Sequence, residues 1–176
     1  MKSKIINQIL ENIQINEKII ERCTPDIEEA IKLMLRSVRD QGKIFWCGNG
    51  GSAATAQNLS YDLMSGISLH ERKPIPSIAL TTDASLLTAF SDESGLNSIF
   101  SHQVQALGDK SDVLVGISDD GDSKNIISAF RQAKFKELKT ITFSGDSNGQ
   151  LNQMGDVSIK IPTNNPQKIQ SGCLMI

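Results

Sequence analysis

The chain has no excess of positive charge, no long apolar run and no cysteine pair at close spacing. Its 176 residues carry a formal net charge of −2 and a pI near 5.7. That leaves no basic face for a nucleic-acid backbone and sets direct DNA or RNA binding aside. No run approaches the roughly 18 apolar residues that a membrane span requires. Met1-Lys2-Ser3-Lys4 leads into a mixed polar and apolar helix rather than the core of a signal peptide. Cys23, Cys47 and Cys173 are odd in number and far apart, so neither a disulfide framework nor a thiolate metal site is expected. These absences imply a cytoplasmic chain with reduced thiols, without a membrane, that binds a small molecule or another protein. Histidine is scarce as well: only His70, on a polar connection, and His102, on a helix, are present, and both read as surface or interface positions.

What is present is periodic. From Ile5 to Arg39 the apolar residues recur at intervals of three and four, which predicts two amphipathic helices. Their break is expected at Cys23-Thr24-Pro25, where Thr24 can cap and Pro25 can take the first helical position. This segment, residues 1–40, reads as a helical arm with a stripe to bury, against a partner subunit or against its own domain. Residues 41–176 then read as an α/β core in the same single domain, without linker, low-complexity tract or repeat. Apolar strands are expected at residues 43–47, 77–80, 112–117, 140–143 and 157–161, with helices following the glycine turn to about Met64 and at residues 83–90, 97–106 and 124–135. Five short apolar strands alternating with helices predict an α/β three-layer sandwich, a mostly parallel five-stranded sheet flanked by helices. In such a sheet ligands gather beyond the carboxyl ends of the strands.

Two of those ends carry polar turns. Gly48-Asn49-Gly50-Gly51-Ser52 follows the apolar run Ile44-Phe45-Trp46-Cys47 and opens an Ala-rich helix. Glycines that admit close backbone approach, next to the free N–H groups of a helix start, make a site for a phosphate or a hydroxylated sugar. The second turn is Ser118-Asp119-Asp120-Gly121-Asp122-Ser123. Phe45 and Trp46 alternate on the first strand and read as core.

The stretch from Lys43 through Ala54 resembles the first phosphosugar loop of the sugar isomerase (SIS) domain family. Within that family Ala79-Leu80-Thr81-Thr82-Asp83, Gln103-Val104-Gln105-Ala106-Leu107-Gly108, the strand Asp112 through Ser118, and Lys168-Ile169-Gln170 resemble the sedoheptulose-7-phosphate isomerase branch and its relative, the DnaA initiator-associating branch. The resemblance runs from Lys43 to the C-terminus. It implies a homotetramer binding a phosphorylated sugar, with zinc as the family's metal. It also implies an aldose–ketose isomerisation of sedoheptulose 7-phosphate to a manno-heptose 7-phosphate for surface polysaccharide, in which a base removes a proton beside a carbonyl and an enediol forms.

Carried onto this chain, the resemblance makes Asn49, Gly50, Gly51 and Ser52 the substrate loop, Asp62 the catalytic base, and Gln170 a contact to substrate and metal, with Asp62 a further metal contact. Asp62 is one methylene shorter than the family's glutamate, and a base misplaced by about 1 Å can cost on the order of a hundredfold in rate. Asn58 stands at a family ligand position that carries histidine, and an amide binds zinc poorly. The family's second histidine would fall beyond Ile176. Asp92 and Glu93 stand near the family's Asn-Asp pair. In the second loop Ser118 and Ser123 keep their hydroxyls, but Asp119, Asp120 and Asp122 replace the family's uncharged residues. Like charges 4 Å apart repel by roughly 4 kcal/mol at an effective dielectric of 20, so phosphate affinity is expected to suffer unless those side chains turn away or hold a cation. A solvated acidic turn is the first expectation, and a loop retuned for a cation or an amino-bearing sugar is the sharper alternative. The competing class is a non-catalytic regulator, a tetrameric scaffold that kept the fold and lost turnover.

Overall fold

The computed structural model describes residues 1–66, 73–93 and 95–176; His70 lies outside them. A single helix, α1 (Lys2–Arg39), precedes the sheet. The predicted break at Pro25 does not occur. A proline inside a helix removes one main-chain bond and crowds the preceding turn, but here the Thr24 hydroxyl donates to the Ile20 carbonyl at 2.6 Å and the helix runs on. What carries it through is burial: Ile19, Cys23, Ala30, Leu33 and Ser37 form one inward stripe across the proline. The expectation that the arm packs either on a partner or on its own domain divides at mid-helix. From Ile19 onward α1 packs on the sheet core, whereas Ile5, Ile6, Ile9, Leu10 and Ile13 are each between 45% and 55% exposed.

After α1 the chain runs β1 (Ile44–Gly48), α2 (Gly51–Ser65), β2 (Ser77–Ala79), α3 (Ala84–Glu93), a 3-10 turn (Leu96–Ser98) and α4 (Ile99–Leu107). It continues through β3 (Val113–Ile117), α5 (Lys124–Phe135), β4 (Lys139–Ser144), α6 (Gln150–Met154), β5 (Val157–Lys160) and α7 (Pro166–Met175). The strands form one sheet in the order β2-β1-β3-β4-β5, and every pairing is parallel, with Ile44 opposite both Ser77 and Val113. The helices α6 and α7 carry weak periodicity and were not expected from sequence, yet α7 has a legible start. Asn165 caps it by accepting from the Gln167 and Lys168 N–H groups, and Pro166 takes the first position.

Alternation along β1 assigns the two faces. Ile44 and Trp46 join one buried cluster with Ile19, Leu33, Ala56, Ile169 and Cys173, which is the layer of α1, α2 and α7. Phe45 and Cys47 join the other with Ile99, Val104, Ile126 and Phe130, which brings in α4 and α5. Both faces are covered, so the central strands read as continuous apolar runs. The one large polar handle on β1, the Trp46 indole N–H, is satisfied by Ser77 Oγ at 2.9 Å, which in turn donates to Ser60 Oγ at 3.1 Å. At the amino end of the sheet a buried carboxylate ties β1 to β3: Asp112 accepts from Lys43 N and Lys43 Nζ, each at 2.8 Å, and from Asp109 N at 2.7 Å. The opposite, carboxyl end is left for the polar turns.

Candidate functional site

The parallel register puts Gly48 beside Ile117, so the turns following β1 and β3 leave the sheet side by side. Gly50 has φ +54° and ψ −121°, a conformation that only glycine adopts without strain, and it reverses the chain into α2. The second turn reverses at Gly121, φ +77°, and enters α5 through Ser123. Asn49 and Asn125 lock the two together through a reciprocal amide pair, with Asn49 Nδ2 donating to Asn125 Oδ1 at 2.9 Å and Asn125 Nδ2 donating to Asn49 Oδ1 at 2.8 Å. Asn125 is buried and had no motif to announce it in the sequence.

Between the turns lies a cavity of about 540 Å³, lined by Asn49, Ser52, Ser118, Asp119, Asp120 and Ser123, with Ile117, Ser147, Asn164 and Pro166 closing it. Ser147 and Asn164, from the loops after β4 and β5, carry no sequence signal of their own. The sheet order alone brings them here.

The three loop carboxylates do different things. Asp122 turns away, its Oδ1 accepting from the Gln150 N–H at the start of α6 at 2.9 Å. Asp120 folds back on its own turn, its Oδ1 accepting from Ser118 Oγ at 3.1 Å and from Asp122 N at 2.9 Å. Asp119 crosses to the first turn and accepts from Ser52 Oγ at 3.3 Å, with Gln170 as a further donor. Desolvation pushes the Asp119 carboxyl above its ordinary value, the Ser52 bond pulls it down, and the neighbouring Asp120 charge adds to the rise. The expectation of three carboxylates in the pocket is therefore corrected to two, because Asp122 has a main-chain donor outside it.

Gln170, on α7, sits directly over Gly51, where a Cβ would collide with its amide; α7 thereby joins the first turn. Asp62 lies elsewhere. It is ten residues after Ser52 on α2, a rise of about 15 Å along the helix. There it lines a second, mostly apolar cavity of about 370 Å³ with Ile31, Trp46, Leu59, Cys173 and Met175. Asn58 is exposed one turn before it. Asp92 and Glu93 occupy the exposed last turn of α3 and do not line the cavity between the turns. His102 is exposed and packs its ring on Phe90, with centroids 4.8 Å apart.

The expected metal finds a poor donor set. Asn58 and Gln170 offer amides and Asp62 one carboxylate, whereas zinc takes thiolate, imidazole or several carboxylates. Among the described residues no three or more His, Cys, Asp or Glu side chains converge. The residues present do not fit zinc.

A glycine turn at a strand's carboxyl end, beside a second hydroxyl-bearing turn on the neighbouring parallel strand, defines an α/β protein of the SIS type. The SIS domain family matches residues 9–145, and the chain belongs to that family. A phosphoheptose isomerase of Aliarcobacter butzleri is 40% identical over 170 residues, which span 97% of this chain and 89% of the relative. One from Helicobacter pylori is 39% identical over 154 residues, 88% of this chain and 80% of the relative. The solved phosphoheptose isomerase GmhA of Neisseria gonorrhoeae superposes with a TM-score of 0.91 at 33% identity, covering 99% of this chain and 92% of that one. A phosphoheptose isomerase structure from Francisella tularensis gives 0.92 at 35% identity, covering 99% and 93%.

Proposed function

We propose that this protein is a phosphoheptose isomerase that interconverts sedoheptulose 7-phosphate and a manno-heptose 7-phosphate. The observation that carries the reading is the 40% identity to a phosphoheptose isomerase across 97% of the chain. The reaction moves one proton between adjacent carbons and one between their oxygens, and needs no co-reactant. A base takes the proton from the carbon beside the carbonyl and the carbonyl oxygen gains a proton, giving the enediol; the proton then returns to the former carbonyl carbon while the other hydroxyl loses its proton and becomes the new carbonyl. Asn49, Gly50, Gly51 and Ser52 form the sugar loop, with Ser118 and Ser123 facing it across the cavity and Gln170 as a further substrate contact. Asp62 is the candidate base, and Asp92 and Glu93 are candidate substrate contacts, each by the family position it matches or adjoins.

The same reading takes residues 1–176 as one domain, with the 1–40 arm serving assembly. Exposed Ile5, Ile6, Ile9, Leu10 and Ile13 on α1 support a homotetramer in which that apolar stripe is covered by other copies. A cytoplasmic enzyme supplying heptose phosphate for surface polysaccharide is the corresponding role; among the described residues no helix is long and apolar enough to cross a membrane.

The test is conversion of sedoheptulose 7-phosphate followed by NMR, with and without added zinc, for the wild type and for Asp62→Ala and Asp62→Asn. Loss of a positioned base costs about a hundredfold or more, so turnover should fall by at least that factor in both variants. Wild-type conversion no faster than the Asp62→Ala control, in either metal condition, would sink the enzyme reading. Binding of the sugar without conversion would then favour the non-catalytic regulator.

A further inference from the structure

The four serines that line the cavity between the turns all point their protons inward, into the protein. Ser52 Oγ donates to Asp119 at 3.3 Å and Ser118 Oγ to Asp120 at 3.1 Å. Ser118 has one proton and has already given it, so its 2.9 Å contact with Ser123 Oγ is a donation from Ser123. Ser147 Oγ donates to the Asp120 carbonyl at 2.7 Å. Two main-chain N–H groups of the loop are drawn in too, Gly121 N toward Ser118 Oγ and Asp122 N toward Asp120 Oδ1. What the lining side chains leave to meet a ligand is the accepting side of two carboxylates and the Asn164 amide, and among the described lining residues there is no lysine, arginine or histidine to offset the two charges.

A phosphate dianion is an acceptor and needs donors or cations around it. A sugar hydroxyl can donate, and two carboxylates rimming a cavity suit that chemistry. We propose that Asp119 and Asp120 are specificity-determining residues that take the cavity's hydroxyl protons for themselves, so that this site holds its sugar by the sugar's own hydroxyl donors and gains little from a terminal phosphate. The inference rests on the reading of this cavity as the sugar site of a phosphoheptose isomerase, and it changes what that site selects: the polyhydroxylated chain rather than the charge at its end.

The experiment compares sedoheptulose with sedoheptulose 7-phosphate by titration calorimetry, in the wild type and in the Asp119→Thr, Asp120→Ser double variant, at low and raised salt. In the wild type the two affinities should lie within about tenfold of each other, because gain from the phosphate is offset by repulsion. Phosphosugar affinity should rise with salt as that repulsion is screened. In the double variant the preference for the phosphorylated sugar should grow by about tenfold or more, and its salt dependence should reverse. Asp119→Asn with Asp120→Asn, which keeps the loop's shape, should move both readings the same way and covers the case in which the first variant does not fold. A wild type that prefers the phosphorylated sugar strongly, loses that affinity with salt, and keeps the same ratio in the variants would overturn the inference while leaving the isomerase reading intact. Failure of all the proteins to bind either sugar would overturn both.

Discussion

Replacing Asp112 by alanine should cost more stability than any other change at a charged residue of the described core, and should do so without touching the sugar site. Asp112 is 1% exposed and accepts three bonds, from Lys43 N, Lys43 Nζ and Asp109 N. Bonds to a charged acceptor contribute about 1.5–3 kcal/mol each, and a buried donor left without a partner costs about 1–3 kcal/mol. The Lys43 side chain is 29% exposed and can recover water, so its share is discounted as for a partly screened pair. The two main-chain N–H groups at the entry to β1 and β3 recover little. The sum is a loss of about 3–5 kcal/mol, in the range for breaking one side of a buried ion pair. In a chain of this size that corresponds to a fall in Tm on the order of 10 °C. Urea unfolding followed by circular dichroism gives the first number and calorimetry the second. The sugar site lies at the opposite end of the strands, so KM for the folded variant should be unchanged. A loss below about 1 kcal/mol would mean that the three bonds are replaced by water and that the strand entry is not closed as described.

Two further changes probe the site and the core. Gly50→Ala places a side chain at φ +54°, and the strain of about 1–3 kcal/mol should appear as lower stability together with weakened sugar binding; normal binding and stability would mean the turn adopts another backbone. The thiols of Cys23, Cys47 and Cys173 are buried and free, and desolvation raises all three, Cys173 to about 12. With the thiolate suppressed, alkylation by iodoacetamide at neutral pH should proceed at the rate of unfolding rather than at the rate of a free thiol, and fast labelling of the native protein would contradict their burial.

The fold was legible in the sequence wherever burial was simple. Five apolar runs gave five strands within a residue or two, because a strand covered on both faces must be apolar throughout. The helix through Pro25 was not legible, since a local rule against proline was outweighed by a stripe of contacts that only the packed sheet supplies. The short α6 and the terminal α7 were missed for a related reason, having too little periodicity to stand out from loop. In the site, the glycine turn was readable because its backbone demand restricts residue choice. Asn125, Ser147 and Asn164 were not, because asparagine and serine are common and what selects these three is their arrival at one end of the sheet from the start of α5 and the loops after β4 and β5.

By itself the sequence determined the layer architecture, the family and the glycine turn, all of which rest on patterns local to a few residues. Tertiary structure alone decided which way each loop carboxylate faces. Asp119, Asp120 and Asp122 are chemically identical, and their roles differ only because Ser52, Ser118 and the start of α6 present donors in three different directions. Hydrogen bonds are directional and reach only across short distances. Whether a carboxylate lines a pocket or leaves it therefore depends on what the fold brings alongside.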